Sequence, residues 1–437
     1  MTSNLQRGKP VLNMFATGCL IANRYNKQCM NTKSVIPRRA LQAGYTVQYL
    51  GRSSHARKQS VRLVEKVGIP YYDDIYFNKE FVYHDQPLHA VNAFLNAQWR
   101  EVAKMPDEEF TKVSRTAYYV GKVWGPALKV LREWLNLDCV EGLFYEVSTL
   151  NSAQELLWFH LLVCLHLACG LPVVVFDSDR FVKKYSWRLG RILGKELPQY
   201  AENFGARLVF TAPELHTGTG SLCARAQEGA GYQTGQLFFP YDPMFPAGPN
   251  TSKGVEYELV YVGNDYDRQD QFLKYYAAQG DERIAVVGDF DPKARTKRKS
   301  TKHVMQEKGF VTQFPGPVPY TEAFNWYRKG KACVQIATKE SCKSGYITPR
   351  VNDVCYSKRL LLWAAEINYV EDRIAVPGSI VGDKHDALAK ARHFWSSTTA
   401  ARRKRINEQT ERVCQYAHID RFWADLCGYL GIEEEVV

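Results

Sequence analysis

Short apolar runs alternate with amphipathic stretches along the chain, and this alternation predicts strands and helices in turn. Residues 11–16 are typical of a buried strand, residues 32–43 of a helix that ends at Gly44, and residues 46–50 of a second strand. This order is typical of a parallel sheet covered by helices. The series continues with a helix at 151–169 and strands at 143–147, 172–176, 207–211 and 236–239.

A second series follows residues 240–253, which are rich in proline, glycine and asparagine and read as a linker. Its predicted strands and helices alternate as in the first series. The pattern therefore predicts an α/β protein with two Rossmann-like, doubly wound domains that face a cleft. The predicted strands lie at 258–262, 283–287, 332–337 and 360–363, and the helices at 267–278, 320–329, 348–356 and much of 383–430.

The chain has 437 residues, which is enough for two domains with cores of their own. The apolar share of 45% and the charged share of 24% are those of a globular protein. We expect an N-terminal acceptor-side domain over 1–240, a linker over 241–256, a C-terminal donor domain over 257–415 and a helical tail over 416–437.

Eleven cysteines are scattered along the chain without a CxxC pair, so we predict free thiols and no zinc site. The longest apolar run, residues 156–169, is too short to cross a bilayer comfortably and contains two histidines. We therefore expect a cytoplasmic monomer without a membrane span, located in the host cytoplasm if the protein is viral.

The net charge of +11 indicates an anionic partner. Nucleic acid and the phosphates of a nucleotide sugar both fit this charge, and a generally basic protein is the alternative.

The most informative stretch runs from residue 316 to residue 363, where a helix, a strand, a loop, a helix start and a strand follow one another. A helix that begins near Thr348 would present amide groups and a positive dipole end to a diphosphate. Arg350 would add a bidentate phosphate donor, and Asp353 an acceptor for ribose or sugar hydroxyls. Alternatively, Thr348 and Pro349 are an ordinary helix start, and Arg350 and Asp353 form a surface ion pair.

This order of elements resembles the donor-binding half of glycosyltransferases with the GT-B fold. The resemblance implies a nucleotide-sugar donor such as UDP-glucose, bound between the domains, and no prosthetic group. Residues 264–276, with Gly263 before them, resemble the opening loop and helix of that half. Arg268 and Lys274 are placed to neutralise the diphosphate leaving group, and Gly18 to permit close approach of a ligand.

One position departs from the resemblance. Retaining enzymes of this fold often carry an acidic residue eight positions before a second one, and Gly345 stands there while Asp353 holds the later place. The retaining or inverting outcome is therefore left open.

An inverting reaction needs a general base from a loop of the first domain. Asp177 and Asp179, directly after an apolar strand, are the first candidates, and His216 with Glu214 forms a second group. The alternative is that Asp177 and Asp179 cap the following helix.

Two basic loops point to a nucleic-acid acceptor, although a solvated charged loop is the alternative. An enzyme that modifies a base in duplex DNA must flip that base out. In architecture and charge the chain resembles bacteriophage DNA glucosyltransferases, which implies a hydroxylated base of modified DNA as acceptor. One alternative is a glycosyltransferase that acts on a protein, lipid or small-sugar acceptor. The other is a non-catalytic DNA-binding protein that retains a degenerate transferase fold. The candidate DNA contacts are Arg52, His55, Arg57, Lys58, Lys297, Arg298 and Lys299.

Overall fold

The structure is a computed structural model in which two parallel sheets are covered by helices. It confirms the predicted α/β class with two doubly wound units. The residues that it describes are 9–16, 30–50, 75, 78–84, 132, 135–147, 153–178, 197–216, 233–247, 250–252, 254–264, 268–290 and 299–433.

The first sheet has seven parallel strands in the order β3-β2-β1-β4-β5-β6-β7. Strands β4 to β6 are almost wholly buried, because helices cover both faces of the sheet. The strands are β1 (Val11–Ala16), β2 (Thr46–Leu50), β3 (Phe81–His84), β4 (Val140–Val147), β5 (Val173–Asp177), β6 (Leu208–Ala212) and β7 (Gln233–Gln236).

The second sheet has five parallel strands in the order β12-β11-β10-β8-β9. The order changes direction at β8 and β10, and such switch points are where ligands bind in open parallel sheets. The strands are β8 (Tyr257–Val262), β9 (Ile284–Val287), β10 (Gly330–Gln335), β11 (Leu360–Ala364) and β12 (Ile380–Val381).

The helices that the structure describes connect these strands and continue beyond the last one. They are α1 (Met30–Gln42), α2 (Ala153–Ala168), α3 (Leu197–Asn203), α4 (Gln269–Tyr275), α5 (Thr301–Glu307), α6 (Tyr320–Arg328), α7 (Lys339–Ser344), α8 (Arg350–Tyr356), α9 (Val370–Arg373), α10 (Lys384–Ser396), α11 (Thr399–Ala417) and α12 (Ile419–Leu430).

Helix α12 belongs to the late part of the chain but packs on the first sheet. The Phe422 ring contacts Phe144 of β4 and Phe176 of β5, with ring centroids 6.0 and 6.3 Å apart. The Trp423 ring packs edge-on against Tyr45 at 5.5 Å. The first unit is therefore completed by residues that follow the second unit in sequence.

The chain passes between the two units at Tyr241 and again at His418, and the two passages lie side by side. The Tyr241 amide donates to the Ala417 carbonyl, and the Ile419 amide donates to the Tyr241 carbonyl at 3.0 Å. The Tyr241 ring stacks on Tyr356 of α8 with centroids 4.5 Å apart. The two crossings thus form one hydrogen-bonded connection.

No helix of the described residues has both the length and the apolar character needed to cross a membrane.

Candidate functional site

The candidate donor site lies where strands β8, β9 and β10 end, an edge that we call the carboxyl edge of the second sheet. Gly263 follows β8 and Gly288 follows β9, and the Gly263 amide donates to the Val287 carbonyl at 2.9 Å. A side chain at Gly288 would place its Cβ 1.7 Å from the Gly263 carbonyl oxygen. The two strand ends therefore approach so closely that only glycine fits at position 288.

Two arginines gather around one buried tyrosine at this edge. The guanidinium carbon of Arg350 lies 4.4 Å from the Tyr261 ring centroid, and that of Arg268 lies 5.7 Å from it. Arg268 also lies over the Phe272 ring at 5.9 Å and donates to the Asn264 carbonyl. Cation–π contact holds both guanidinium groups in place and brings two positive charges to the end of β8.

Arg350 is further fixed by hydrogen bonds to the ends of two strands. Its Nε donates to the Val262 carbonyl at 2.9 Å, and its Nη1 lies 3.4 Å from Gln335 Oε1 and 3.3 Å from Thr348 Oγ1. Gln335 Nε2 in turn donates to Thr348 Oγ1 at 3.0 Å. Within the described residues, Nη2 of Arg350 makes no hydrogen bond.

Helix α8 begins at Arg350, two residues after the predicted start at Thr348. Helix α8 has seven residues, and the amides of Val351 and Asn352 donate to the Thr348 and Pro349 carbonyls at 3.1 Å. The predicted free amide groups are therefore used within the turn, and the dipole of so short a helix is small. Asp353 lies half-buried in the first turn of α8.

Lys274 has a carboxylate partner. Its Nζ forms an ion pair with Glu366, which follows β11, and the Tyr275 hydroxyl donates to the other Glu366 oxygen at 2.6 Å. Burial favours the neutral acid, but the hydrogen bonds from Lys274 and Tyr275 outweigh it and lower the pKa of Glu366. The charge of Lys274 is thus balanced by Glu366 in this structure, and its role toward the diphosphate stays a prediction.

Two of the predicted bases end neighbouring strands of the first sheet. Asp177 is the last residue of β5 and is 1% exposed. His216 follows β6 and is exposed, but its ring stacks on Tyr369 at 5.0 Å with an interplanar angle of 12°. The His216 ring therefore also serves a contact between the two units.

Residues 213–216 and 344–347 pair as short antiparallel segments between the two units. The Ile347 amide donates to the Pro213 carbonyl at 2.8 Å, and the Leu215 amide donates to the Gly345 carbonyl at 3.1 Å. The Ser344 hydroxyl donates to Glu214 Oε1 at 3.0 Å. We call these two paired segments the interdomain bridge.

Gly345 has a structural reason for lacking an acidic side chain. It ends α7 with φ of 62°, and a Cβ there would lie 2.6 Å from the Asn368 carbonyl oxygen and 3.1 Å from the Leu215 Cβ. A carboxylate at this position would disrupt both the helix end and the interdomain bridge.

Most of the predicted nucleic-acid contacts lie outside the described residues. Lys299 is described, and its Nζ pairs with Glu307 Oε1 at 2.6 Å. Within the part of the chain that the structure describes, no group of three or more His, Cys, Asp or Glu side chains is placed to hold a metal ion. The candidate site residues outside it are Gly18, Arg52, His55, Arg57, Lys58, Asp179, Lys297 and Arg298.

Sequence reasoning missed Tyr261, Gln335 and Tyr346. Tyr261 and Gln335 lie inside strands, where aromatic and amide side chains look like ordinary core and register positions. The one available signal in the sequence was a polar residue, Gln335, within the apolar run 332–337.

No protein-family model matches the sequence, and no curated protein matches it. Solved structures do match its fold. The beta-glucosyltransferase of phage T4 in complex with UDP and Mn²⁺ is 9% identical, with a TM-score of 0.54 over 97% of this chain and all of that one. HepE from Anabaena in complex with UDP and glucose is 10% identical, with a TM-score of 0.53 over 97% of this chain and 99% of that one.

A third match is the N-terminal domain of trehalose-6-phosphate phosphatase from Candida albicans, 11% identical with a TM-score of 0.51 over the whole chain and 99% of that domain. The match to the T4 phage and Anabaena structures extends over almost the whole of each chain, so the predicted GT-B fold is confirmed. At such low identity the likeness concerns the fold alone.

Proposed function

We propose that this protein is a glycosyltransferase that takes a sugar from a nucleotide sugar, with UDP-glucose as the expected donor. The T4 phage and Anabaena enzymes with this fold have both been seen with UDP-glucose. The observation that carries the proposal is the pair of arginines, Arg268 and Arg350, held around Tyr261 at the carboxyl edge of the second sheet.

These arginines suit the leaving group of glycosyl transfer. An acceptor hydroxyl attacks the anomeric carbon, the bond from that carbon to the diphosphate oxygen breaks, and the hydroxyl proton passes to a base. Negative charge grows on the departing diphosphate, and fixed guanidinium groups stabilise it without reorganising. We assign this role to Arg268 and Arg350. We propose that Asp353 accepts hydrogen bonds from the ribose or sugar hydroxyls.

For the base we favour Asp177 over His216. Asp177 ends a central strand of the first sheet, and its carboxylate suits proton transfer in an inverting reaction. The His216 ring is already stacked on Tyr369. Asp179, two residues later in the sequence, remains a second candidate for the base.

For the acceptor we propose a hydroxylated base of modified DNA. Support comes from the net charge of +11 and from the T4 phage neighbour, which is described as a DNA-modifying enzyme. The assay supplies UDP-glucose with a duplex that contains hydroxymethylcytosine and measures UDP release. We expect release to need the modified base and to fall steeply as salt rises, and an unmodified duplex of the same sequence is the control.

If a small sugar, lipid or protein supports UDP release and this release does not depend on salt, the acceptor belongs to that class and not to DNA. Binding of the duplex without any binding of UDP-glucose would instead favour a DNA-binding protein that retains only the fold.

Arg350→Ala tests the donor site directly. Because a charge-assisted hydrogen bond contributes about 1.5–3 kcal/mol, we expect UDP-glucose affinity to fall about 10- to 100-fold in calorimetric titration. Arg403→Ala, an exposed arginine of α11, is the matched control and should bind as the unchanged protein does. Equal affinities of the two variants would remove Arg350 from the site, and circular dichroism checks that both are folded.

A further inference from the structure

The interdomain bridge joins the candidate donor helix to the strand ends of the first sheet. Residues 344–347 run directly into Thr348 and Arg350. Residues 213–216 follow β6, whose neighbour β5 ends at Asp177. A displacement of either segment is therefore transmitted to residues of the proposed site.

Tyr346 extends this bridge to a third strand end. Its hydroxyl donates to the carbonyl of Ser178, the residue directly after Asp177. Ser178 is tied to β4, because its amide and its hydroxyl both donate to the Val147 carbonyl at 3.1 Å. One side chain from the second unit thus holds the backbone at the ends of β4 and β5.

The contacts around Tyr346 leave it little freedom. It is 6% exposed, it pairs with Glu214 in an antiparallel bridge, and Gly345 beside it approaches the Leu215 side chain closely. Arg373 Nη1 and Gln236 Nε2 both donate to the Leu215 carbonyl, at 2.6 and 3.1 Å, which fixes the opposite segment. Both segments of the bridge are therefore held by contacts beyond their own pairing.

We infer that Tyr346 is a positioning residue, which sets the strand end at Asp177 relative to a donor held by Arg350. This inference rests on the proposed function, since it assigns Tyr346 a part in the same reaction. The Tyr346 hydroxyl is engaged with the Ser178 carbonyl, so we assign it no direct part in holding the donor. Its effect is on the distance between the acceptor-side carboxylate and the sugar, where a displacement of about 1 Å costs as much as 100-fold in rate.

Tyr346→Phe keeps the ring and removes the hydrogen bond to Ser178. With UDP-glucose and hydroxymethylated duplex, we expect kcat to fall about 10- to 100-fold while KM for UDP-glucose stays within about twofold. Tyr257→Phe is the matched control, because it also removes one hydroxyl hydrogen bond of a buried tyrosine, that to Gln313 Oε1 at 2.7 Å, at the end of β8 away from the proposed site. That variant should keep its kcat at a temperature where both proteins are folded.

Hydrogen exchange gives a readout that does not depend on turnover. In Tyr346→Phe the amides of Leu215, His216 and Ile347 should exchange at least about tenfold faster than in Tyr257→Phe, because the bridge opens more often. UDP should slow their exchange in the unchanged protein and much less in Tyr346→Phe. Matching kcat values and matching exchange in the two variants would overturn the inference.

The two proposals fail in different ways. If the unchanged protein binds no UDP, the proposed function is wrong. Exchange measured without nucleotide then still decides whether Tyr346 holds the two segments together, and equal rates in both variants would refute that role as well.

Discussion

At the scale of single residues, Tyr261 and Arg350 lie against each other because position 263 has no side chain. A Cβ on Gly263 would lie 2.7 Å from Arg350 Nη2 and 2.9 Å from the Tyr261 ring and hydroxyl. Arg350 is held by its hydrogen bonds and the Tyr261 ring is buried, so such a contact would displace one of the two side chains. Gly263 thus matters for the arrangement of the protein's own side chains as much as for room beside a ligand.

Gly263→Ala should weaken UDP-glucose binding about tenfold, because the added methyl group displaces Arg350. We expect a smaller loss of stability. Calorimetric titration measures the affinity, and thermal unfolding measures the stability. Gly382→Ala is the control, because a Cβ there meets nothing within 4 Å. A Gly263→Ala variant that binds as tightly as Gly382→Ala would contradict this account of the site.

Local signals in the sequence were enough to nominate Arg350 and Arg268 but not the residues around them. A threonine and a proline before Arg350 predict a helix start, and arginine there suggests phosphate. Tyr261 carries no such signal, since an aromatic residue in an apolar strand is ordinary core. The role of Tyr261 becomes visible only in the fold, which brings Arg268 and Arg350 against its ring. The roles of Asp177, Asp179 and His216 stay predictions.

At the scale of elements, the apolar runs located most strands to within a few residues. The strand at 46–50 has the predicted limits, whereas the one predicted at 236–239 is displaced, because β7 ends at Gln236 and Leu237 to Phe239 form a buried passage between the units. Helix α7 was missed, because its six residues lack a helical apolar period. A helical tail was predicted for the residues of α12, but not that this helix packs on the first unit.

Trp423→Ala tests the docking of α12 on the first sheet. The side chain is 1% exposed, and its removal should cost about 3–5 kcal/mol of unfolding free energy. Ala424→Ser, at an exposed position of the same helix, should change stability by less than about 0.5 kcal/mol. Urea unfolding of both variants measures the difference, and similar midpoints would mean that α12 adds little to the first unit.

At the scale of the whole molecule, two sheets and a connecting segment were predictable, but their mode of attachment was not. The predicted domain limits stay predictions. Within the described residues, the units are joined by the interdomain bridge and by the paired crossings at Tyr241 and His418. Pairings of this kind join residues far apart in sequence, so no local pattern reports them.

A single cut in the linker should therefore leave the molecule assembled. With a protease site inserted after Asn250, which is exposed, we expect both fragments to elute together in size-exclusion chromatography after cleavage. The later fragment carries α12, whose Phe422 and Trp423 remain packed on the earlier one. Separation of the fragments in native buffer would show that these contacts are too weak to hold the units together.

The return of α12 to the first sheet also has a consequence for the order of events on the ribosome. Domains generally fold as they emerge, earliest first. Here the rings of Phe144, Phe176 and Tyr45 lack part of their cover until residues 419–430 have been synthesised. During synthesis of the whole second unit, the first one exposes an aromatic surface of the kind that chaperones bind.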